Sequence, residues 1–340
     1  MKFAVLTKPY QFEIKDYPYP ELNEQEVLIA VKKVGICGSE ITAYRGIHQY
    51  RIPPVILGHE MVGAVSAIGK TGKRLKVGDR VVVKPHTFCG LCPDCLDGNQ
   101  NFCKEKKVLG SREWPGAFGE FIVAPEHLVH PLPSHITDEQ AALLDPLCVG
   151  LHAVRKAGVQ AGDRIVILGA GSIGLSSLLA ALASGAEVYV TDIKDKNLEI
   201  ARALGATGTF NVSRAEESSR LEDLSASLRM DTVMVTAGTE GTVSQAIKMI
   251  RRGGQVIILA HFHNPMVPVD MFTLLTQEKN LHGSITYTSL DLERGIQLLS
   301  QKKLNVLPLI SEHRSLEEIQ RCFERLAAGE EGLIKVLITL

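Results

Sequence analysis

Four of the chain's seven cysteines, Cys89, Cys92, Cys95 and Cys103, fall within fifteen residues in a C-x2-C-x2-C-x7-C pattern. The stretch is crowded with turn formers, Gly90, Pro93, Asp94, Asp97, Gly98 and Asn99. Short turns of this kind let thiolates converge on one tetrahedral metal, and an all-cysteine set leaves no position open for chemistry. The pattern therefore reads as a closed structural zinc site. A ferredoxin-type iron–sulfur run would end in C-x3-C-P, whereas the last gap here is seven residues and no proline follows Cys103. Disulfides would require a secreted chain. The opening MKFAVLTKPYQFEIKDYPYP has neither a long apolar core nor a small-residue cleavage site, so a cytoplasmic protein is expected.

A second constellation lies mid-chain. Directly after the strand-like run Ile165-Val166-Ile167-Leu168 comes Gly169-Ala170-Gly171-Ser172-Ile173-Gly174. A lone G-x-G-x-x-G is a weak signal, but this one follows a strand, opens an apolar helix and precedes a second strand ending at Asp192. Its glycines allow a tight turn and let backbone amides approach a pyrophosphate at the positive helix end. Gly169, Gly171, Ser172, Ile173 and Gly174 are thus the candidate cofactor contacts. Asp192, eighteen residues past Gly174, is placed to accept hydrogen bonds from the adenosine ribose and to repel a 2′-phosphate, which favours NAD over NADP. The plainer reading of Asp192 is a strand-end acid or a cap for the helix after Lys194.

A third set comprises Gly35-Ile36-Cys37-Gly38-Ser39 and Gly58-His59-Glu60. Cys37 follows an apolar run and sits in a glycine-flanked turn that exposes its thiolate. The second turn offers an imidazole beside a carboxylate. One Cys, one His, one acid and an open position form the ligand set of a catalytic zinc. Residue types alone leave this open, because a single turn cysteine is more often a small buried hydrophobe and a single histidine a satisfied polar residue.

The elements that must position these groups change texture along the chain. Up to about residue 150 the sequence reads as short strands broken by turns: Val27–Val34, Met61–Ile68 and the run ending at Val83. This half is expected to be compact and mostly β. After Asp138 a helix-rich stretch, Ala141–Ala157, leads into strands Ile165–Leu168, Glu187–Thr191, Thr232–Thr236 and Gln255–Leu259. Between them Ser172–Ser184, Lys194–Leu204 and Thr242–Arg252 have helical length and composition. Such alternation predicts a parallel, doubly wound sheet, so the fold class is α/β joined to mostly β. Helices near Asp291–Lys302 and Leu316–Ala327 and a strand Leu333–Leu340 follow.

At 340 residues the chain exceeds what one core usually holds, which predicts two domains. A hydrophobic share of 45% supplies ample core, and a net charge of −1 gives no general pull toward nucleic acid or anionic membrane. A cysteine lobe that bound DNA would want a basic surface, but Lys104, Lys106 and Lys107 are offset by Asp94, Asp97 and Glu105. No apolar run approaches the roughly 18 residues that span a bilayer. Neither a nucleic-acid nor a membrane partner is expected.

Taken together these segments resemble the zinc-containing medium-chain dehydrogenases, and the resemblance runs along essentially the whole chain. It rests on Gly35–Ser39, Gly58–Glu60, the cysteine lobe, Val77-Gly78-Asp79-Arg80-Val81, Asp145-Pro146-Leu147-Cys148-Val149-Gly150 and Gly169–Gly174, in the family's order. The nearest look is to the polyol branch typified by sorbitol dehydrogenase, with threonine dehydrogenase nearby. The resemblance implies a GroES-like catalytic domain split around an inserted Rossmann domain. The expected division is residues 1–150 with a zinc lobe at about 86–108, residues 151–286 for the dinucleotide, and a return over 287–340. It also implies Cys37, His59 and Glu60 as catalytic zinc ligands, Asp145 where polyol dehydrogenases often carry a glutamate near the metal, two zinc ions per chain, and a homodimer or homotetramer.

Three departures bear on chemistry. Where the family often has a relay histidine, three residues after Ser39, this chain has Thr42; His48, six further on, is the candidate substitute. Asp145 is one methylene shorter than glutamate. Of the Arg-Tyr pair that contacts the polyol in sorbitol-type enzymes, the run Gly283-Ser284-Ile285-Thr286-Tyr287 keeps only the tyrosine, so sorbitol itself is not expected. Thr42, His48, Arg112, Thr286 and Tyr287 are the candidate substrate contacts. Cys148, Cys322 and His152 read as core residues, and His261 and His263 as loop residues or neighbours of the nicotinamide.

The expected chemistry is reversible oxidation of a secondary alcohol to a ketone. The metal acts as Lewis acid, NAD takes the hydride, and Ser39 is first proton acceptor. A polyol or ketose is the leading substrate. The alternatives are an anionic or amino substrate (sugar phosphate, sugar acid or threonine-like), clamped by Arg112 or Arg51, and a non-catalytic dinucleotide binder of the same fold, which would have no need of an open metal site.

Overall fold

A computed structural model describes residues 1–262 and 264–340; His263 lies outside the described residues. Two compact units emerge. One comprises Met1–Asp145, Thr288–Lys302 and Ile310–Leu340, the other Pro146–Tyr287 and Lys303–Leu309. The short run Lys303–Leu309, assigned from sequence to the C-terminal return, thus groups with the second unit.

The first unit is built on a seven-stranded sheet. Ile310–Ser315, Lys335–Thr339, Glu26–Gly35, Glu60–Ile68, Arg80–Val83 and Val129–Pro131 lie side by side in that order, and Phe121–Pro125 pairs with Glu26–Ala30. A smaller antiparallel sheet joins Gln11–Asp16, Lys2–Lys8 and Val55–Ile56. Glu26–Gly35 is mostly buried along its length, as the continuous apolar run Val27-Leu28-Ile29-Ala30-Val31 requires of a central strand. The helix Ile319–Ala327 buries Ile319, Cys322 and Phe323, an i, i+3, i+4 stripe. Phe323 packs at 4.6 Å from Phe12 and 5.4 Å from Tyr44. Tyr44 closes the short helix Gly38–Tyr44, so this aromatic cluster fixes the element that carries Ser39 and Glu40.

The second unit contains six parallel strands in the order Gly208–Asn211, Glu187–Asp192, Arg164–Leu168, Met230–Val235, Ile250–Ile258, Asn280–Gly283. In chain order this is the 3-2-1-4-5-6 doubly wound arrangement, with its switch point beside Arg164–Leu168. The helix Ser172–Ala183 has no charged residue and is buried from Gly174 to Ala181, so it packs as an interior helix.

Two differences from the sequence reading have clear causes. The helix expected over Thr242–Arg252 ends at Met249 because Ile250 already pairs with Met230. The next paired residue is Gln255, opposite Thr232, and 251–254 bulge between them, with Arg251 anchored to Asp231 at 2.7 Å. The helix Ala215–Leu228 went unseen because it buries only Leu221 and Ser225 and so carries almost no apolar period. Among the described residues no helix is long and apolar enough to cross a membrane.

Candidate functional site

Cys37 ends the central strand and caps the helix Gly38–Tyr44. Its backbone N–H donates to Glu40 Oε2 at 3.1 Å, the N3 half of a capping box. Glu40 is no surface cap, however, being fully buried. Its Oε1 accepts from the Gly58 N–H and from His59 Nδ1–H, each at 2.8 Å. One carboxylate thereby ties the cysteine turn to the histidine turn. With Nδ1 engaged, Nε2 is the nitrogen left for a metal, the carboxylate–histidine arrangement typical of ligating imidazoles. Sequence reasoning missed Glu40; the available signal was an acid three residues after a helix-capping Cys37.

One donor atom from each of Cys37, His59 and Glu60 lies within 4.8 Å of the others. A thiolate, an imidazole and a carboxylate at this spacing are three donors of the kinds that hold zinc of the catalytic type. Asp145 Oδ2 stands 3.9 Å from His59 Nε2, the ring nitrogen that Glu40 leaves unengaged. Burial and the Arg51 charge both oppose protonation of His59, but Glu40 and Cys37 outweigh them and hold its pKa well above the usual histidine value. Burial likewise favours a protonated Glu40, yet His59 and Arg51 keep the carboxylate below its ordinary range.

Glu60 faces a second partner invisible to local sequence. Lys335 Nζ donates to both Glu60 oxygens, at 2.8 and 2.6 Å, and to the Ile36 carbonyl at 3.0 Å. Both side chains are 1% exposed. Burial alone would lower the Lys335 pKa, but Glu60 and then Cys37 raise it, so the ammonium persists. The pair leaves no space beside Gly35, where a Cβ would overlap Glu60 Oε2. Arg51 completes the surroundings. It is 6% exposed, its Nη1 donates to Ser39 Oγ at 2.6 Å, and its Nη2 lies 3.3 Å from His59 Nδ1. Ser39 Oγ in turn is 3.4 Å from Cys37 Sγ.

In the lobe, Cys89, Cys92, Cys95 and Cys103 bring their four sulfurs within 4.8 Å of one another. Backbone N–H groups of Leu91 and Cys92 point at Cys89 Sγ and draw its pKa down to about 6, whereas burial pushes Cys95 up to about 12. Four such thiols shed all their protons only against a cation, and an all-sulfur tetrahedral set fits zinc. At the base of the lobe Lys84 is 1% exposed, bonds Gln100 Oε1 at 2.8 Å and Ser289 Oγ at 3.3 Å, and is pulled to about 8 by burial.

The glycine turn of the second unit follows Arg164–Leu168, and Gly171 caps the helix Ser172–Ala183. Gly169 has φ +109°, and a Cβ on Gly174 would overlap the Gly169 carbonyl oxygen. Side chains are therefore excluded where the turn closes on the helix. Ser172 Oγ is buried without a partner among the described residues, a polar group awaiting one. Asp192 accepts from the Ala170 N–H at 2.7 Å and the Lys194 N–H at 2.9 Å, so it braces the turn as well as presenting its charge there.

Each substrate candidate has its own local partners. Thr42 donates to the Ser39 carbonyl at 2.6 Å, and His48 Nδ1 accepts from the Tyr50 and Arg51 N–H groups at 3.1 Å. Arg112, offered from sequence as an anion clamp, instead donates to the Ile52 and Pro53 carbonyls at 3.2 and 2.9 Å and braces that loop. Thr286 has φ +50° with its hydroxyl buried and without a partner among the described residues, and Tyr287 is 1% exposed. Cys148, Cys322 and His152 are buried, and His261 is exposed.

Comparison with known proteins agrees with this architecture. Residues 23–134 match the alcohol dehydrogenase GroES-like domain and residues 172–301 the zinc-binding dehydrogenase domain. The chain is 32% identical to sorbitol dehydrogenase of Bacillus subtilis over 342 residues, covering 99% of this chain and 97% of that one. It is 33% identical to D-xylulose reductase A of Aspergillus niger over 345 residues, covering 98% and 95%. The crystal structure of galactitol-1-phosphate dehydrogenase from Escherichia coli superposes with a TM-score of 0.92 at 29% identity, covering all of both chains. The chain belongs to the zinc-containing medium-chain alcohol and polyol dehydrogenases, with the GroES-like and Rossmann folds of that family. It is an oxidoreductase.

Proposed function

We propose that this chain reversibly oxidises a secondary alcohol of a polyol or sugar derivative to a ketone with NAD, using one catalytic and one structural zinc. The observation that carries this reading is the convergence of Cys37, His59 and Glu60 donors within 4.8 Å, beside Ser39. When bound, zinc supplies Lewis acidity at the alcohol oxygen and NAD supplies the hydride acceptor. Glu40 holds the His59 ring with Nε2 toward the ligand cluster, and Lys335 offsets the Glu60 charge. Ser39 Oγ takes the hydroxyl proton and releases its own. Asp145, by its approach to His59 Nε2, adds a carboxylate on the same side. Asp192 sets a negative charge at the glycine turn, which suits a ribose hydroxyl and opposes a 2′-phosphate. Gly169, Gly171, Ser172, Ile173 and Gly174 would cradle the pyrophosphate.

The substrate class is supported by the full-length likeness to a sorbitol dehydrogenase and a xylulose reductase, and by the hydroxyl of Ser39 at the ligand cluster. We further propose that the protein works as a homodimer or homotetramer in the cytoplasm. The test is an absorbance assay of NADH formation by the zinc-loaded protein across sugar alcohols, their phosphates, aldonates, threonine and simple alkanols, repeated with NADP. Turnover of a polyol with NAD preferred is expected. Activity on alkanols alone would refute the polyol reading, and a preference for NADP would remove the role given to Asp192.

A further inference from the structure

Arg51 stands out among the groups around the candidate catalytic centre. It is a buried guanidinium with no carboxylate within ion-pair distance among the described residues, and its Nε has no hydrogen-bond partner there. A desolvated cation without a direct counter-ion is costly, and such groups are retained where the charge is used. Its shortest contact is Nη1 to Ser39 Oγ at 2.6 Å; the contacts of Nη2 with His59 Nδ1 and the Leu109 carbonyl are longer, 3.3 and 3.5 Å. Since His59 Nδ1 already donates to Glu40, the Arg51 approach to that nitrogen is not a hydrogen bond, and among the described residues Ser39 is the nearest acceptor, ahead of the long contact to the Leu109 carbonyl.

We propose that Arg51 is a positioning residue for proton transfer, locking the hydroxyl of Ser39 in the polarity the reaction needs. A guanidinium only donates and is not deprotonated in proteins. Ser39 Oγ must therefore accept from Arg51, which forbids the rotamer in which the serine proton points at residue 51. One lone pair of Ser39 Oγ is left open, and its proton is donated to Cys37 Sγ over a long contact of 3.4 Å, from which it can be exchanged. The neighbouring hydroxyl and imidazole are already engaged: Thr42 spends its own proton on the Ser39 carbonyl, and His48 turns Nδ1 to the backbone of Tyr50 and Arg51. In alcohol oxidation the substrate hydroxyl proton moves onto the open lone pair of Ser39 Oγ while the serine proton leaves to water. The C–H bonding pair departs as hydride to the nicotinamide, so the carbinol is oxidised to ketone and NAD is reduced. Loss of the serine proton runs ahead of arrival of the substrate proton, so the charge that builds on Ser39 Oγ is negative, and the fixed Arg51 cation stabilises it without reorganisation.

This inference rests on the dehydrogenase reading, and its test has an arm that needs no turnover. Holoenzyme variants Arg51→Met, Arg51→Lys, Ser39→Ala and the double variant Arg51→Met with Ser39→Ala are compared. Arg51→Met should lower kcat by about 10²–10³ with KM within a few-fold, as loss of one preorganised donor does. Arg51→Lys, or millimolar guanidinium added to Arg51→Met, should restore part of the rate. The double variant should be no slower than Ser39→Ala, because both changes remove one contact. In urea unfolding of the same four proteins, Arg51 and Ser39 should couple by about fivefold or more in the unfolding constant. If Arg51→Met does not fold, Arg51→Lys carries the comparison. An unchanged kcat, an effect on KM alone, or additive behaviour of the two residues in turnover overturns the proposal. Absence of turnover in every protein including wild type refutes the dehydrogenase reading instead, and the unfolding cycle then decides the Arg51–Ser39 pair by itself.

Discussion

At the scale of single residues, the buried pair of Lys335 and Glu60 shows how the centre balances charge. The two are 275 positions apart in sequence yet both 1% exposed and bonded through two contacts. Removing one partner of such a pair strands the other in a poor solvent, at a cost of about 3–5 kcal/mol. Lys335→Met is therefore expected to lower stability by about that amount in urea unfolding. Lys335→Met combined with Glu60→Gln should recover part of it, because no lone charge remains. A single Lys335→Met variant as stable as wild type would show that the pair is not dry. The same residues mark where sequence stops being readable. Cys37, His59 and Glu60 could be read as a set because metal ligation favours particular residue types within short turns, and the structure brings their donors within 4.8 Å. Lys335, Arg51 and Glu40 were not assigned their contacts, because each is defined by a neighbour brought from another strand or turn. Arg112 shows the converse. It was conspicuous in sequence beside the cysteine lobe, yet its guanidinium is occupied by two loop carbonyls.

At the scale of elements, the cysteine lobe is the least self-supporting piece of the first unit. It contains only the four-residue helix Pro93–Leu96 and the 3-10 turn Gln100–Phe102. It closes at its base through the bridge His86–Val108, the Thr87–Lys107 bonds at 2.9 and 2.7 Å, and the Lys84–Gln100 contact. Leu91 and Leu96 are 82% and 72% exposed, so no apolar core holds the tip. Folding energy there must come from the metal. Cys95→Ser, or chelation of the lobe metal, should make residues 90–102 the first site of proteolytic nicking while far-UV dichroism of the two sheets is retained. Unchanged resistance to protease would mean that the lobe holds itself together. The strand–helix alternation of the second unit was legible because a parallel sheet buried on both faces writes continuous β-branched runs. Short or polar pieces, Gly208–Asn211 and Ala215–Leu228, write no such pattern and surfaced only in the structure.

At the scale of the whole molecule, the sheet of the second unit leaves an edge that calls for a partner. Asn280–Gly283 is the outermost strand and is exposed at all four residues. The preceding helix Met271–Thr276 presents Met271, Phe272 and Leu275 at 68%, 76% and 78% exposure, and Ile285 beyond the strand is 48% exposed. An unpaired edge beside a cluster of large apolar side chains is a liability that proteins cover, most economically with a second copy of the same surface around a two-fold axis. Strand and helix together offer backbone groups for pairing and apolar area for burial, the two ingredients of an obligate interface. Light scattering of the wild type at micromolar concentration should therefore report an even-numbered homo-oligomer. Phe272→Asp with Leu275→Asp should shift it to monomer, since two carboxylates per subunit would have to be desolvated at the contact. Both positions are highly exposed in the subunit, so the substitutions have little to disturb in its core, and the dichroism spectrum should survive. A wild type that is monomeric at that concentration, or a doubly substituted protein that keeps its assembly, would place the interface elsewhere.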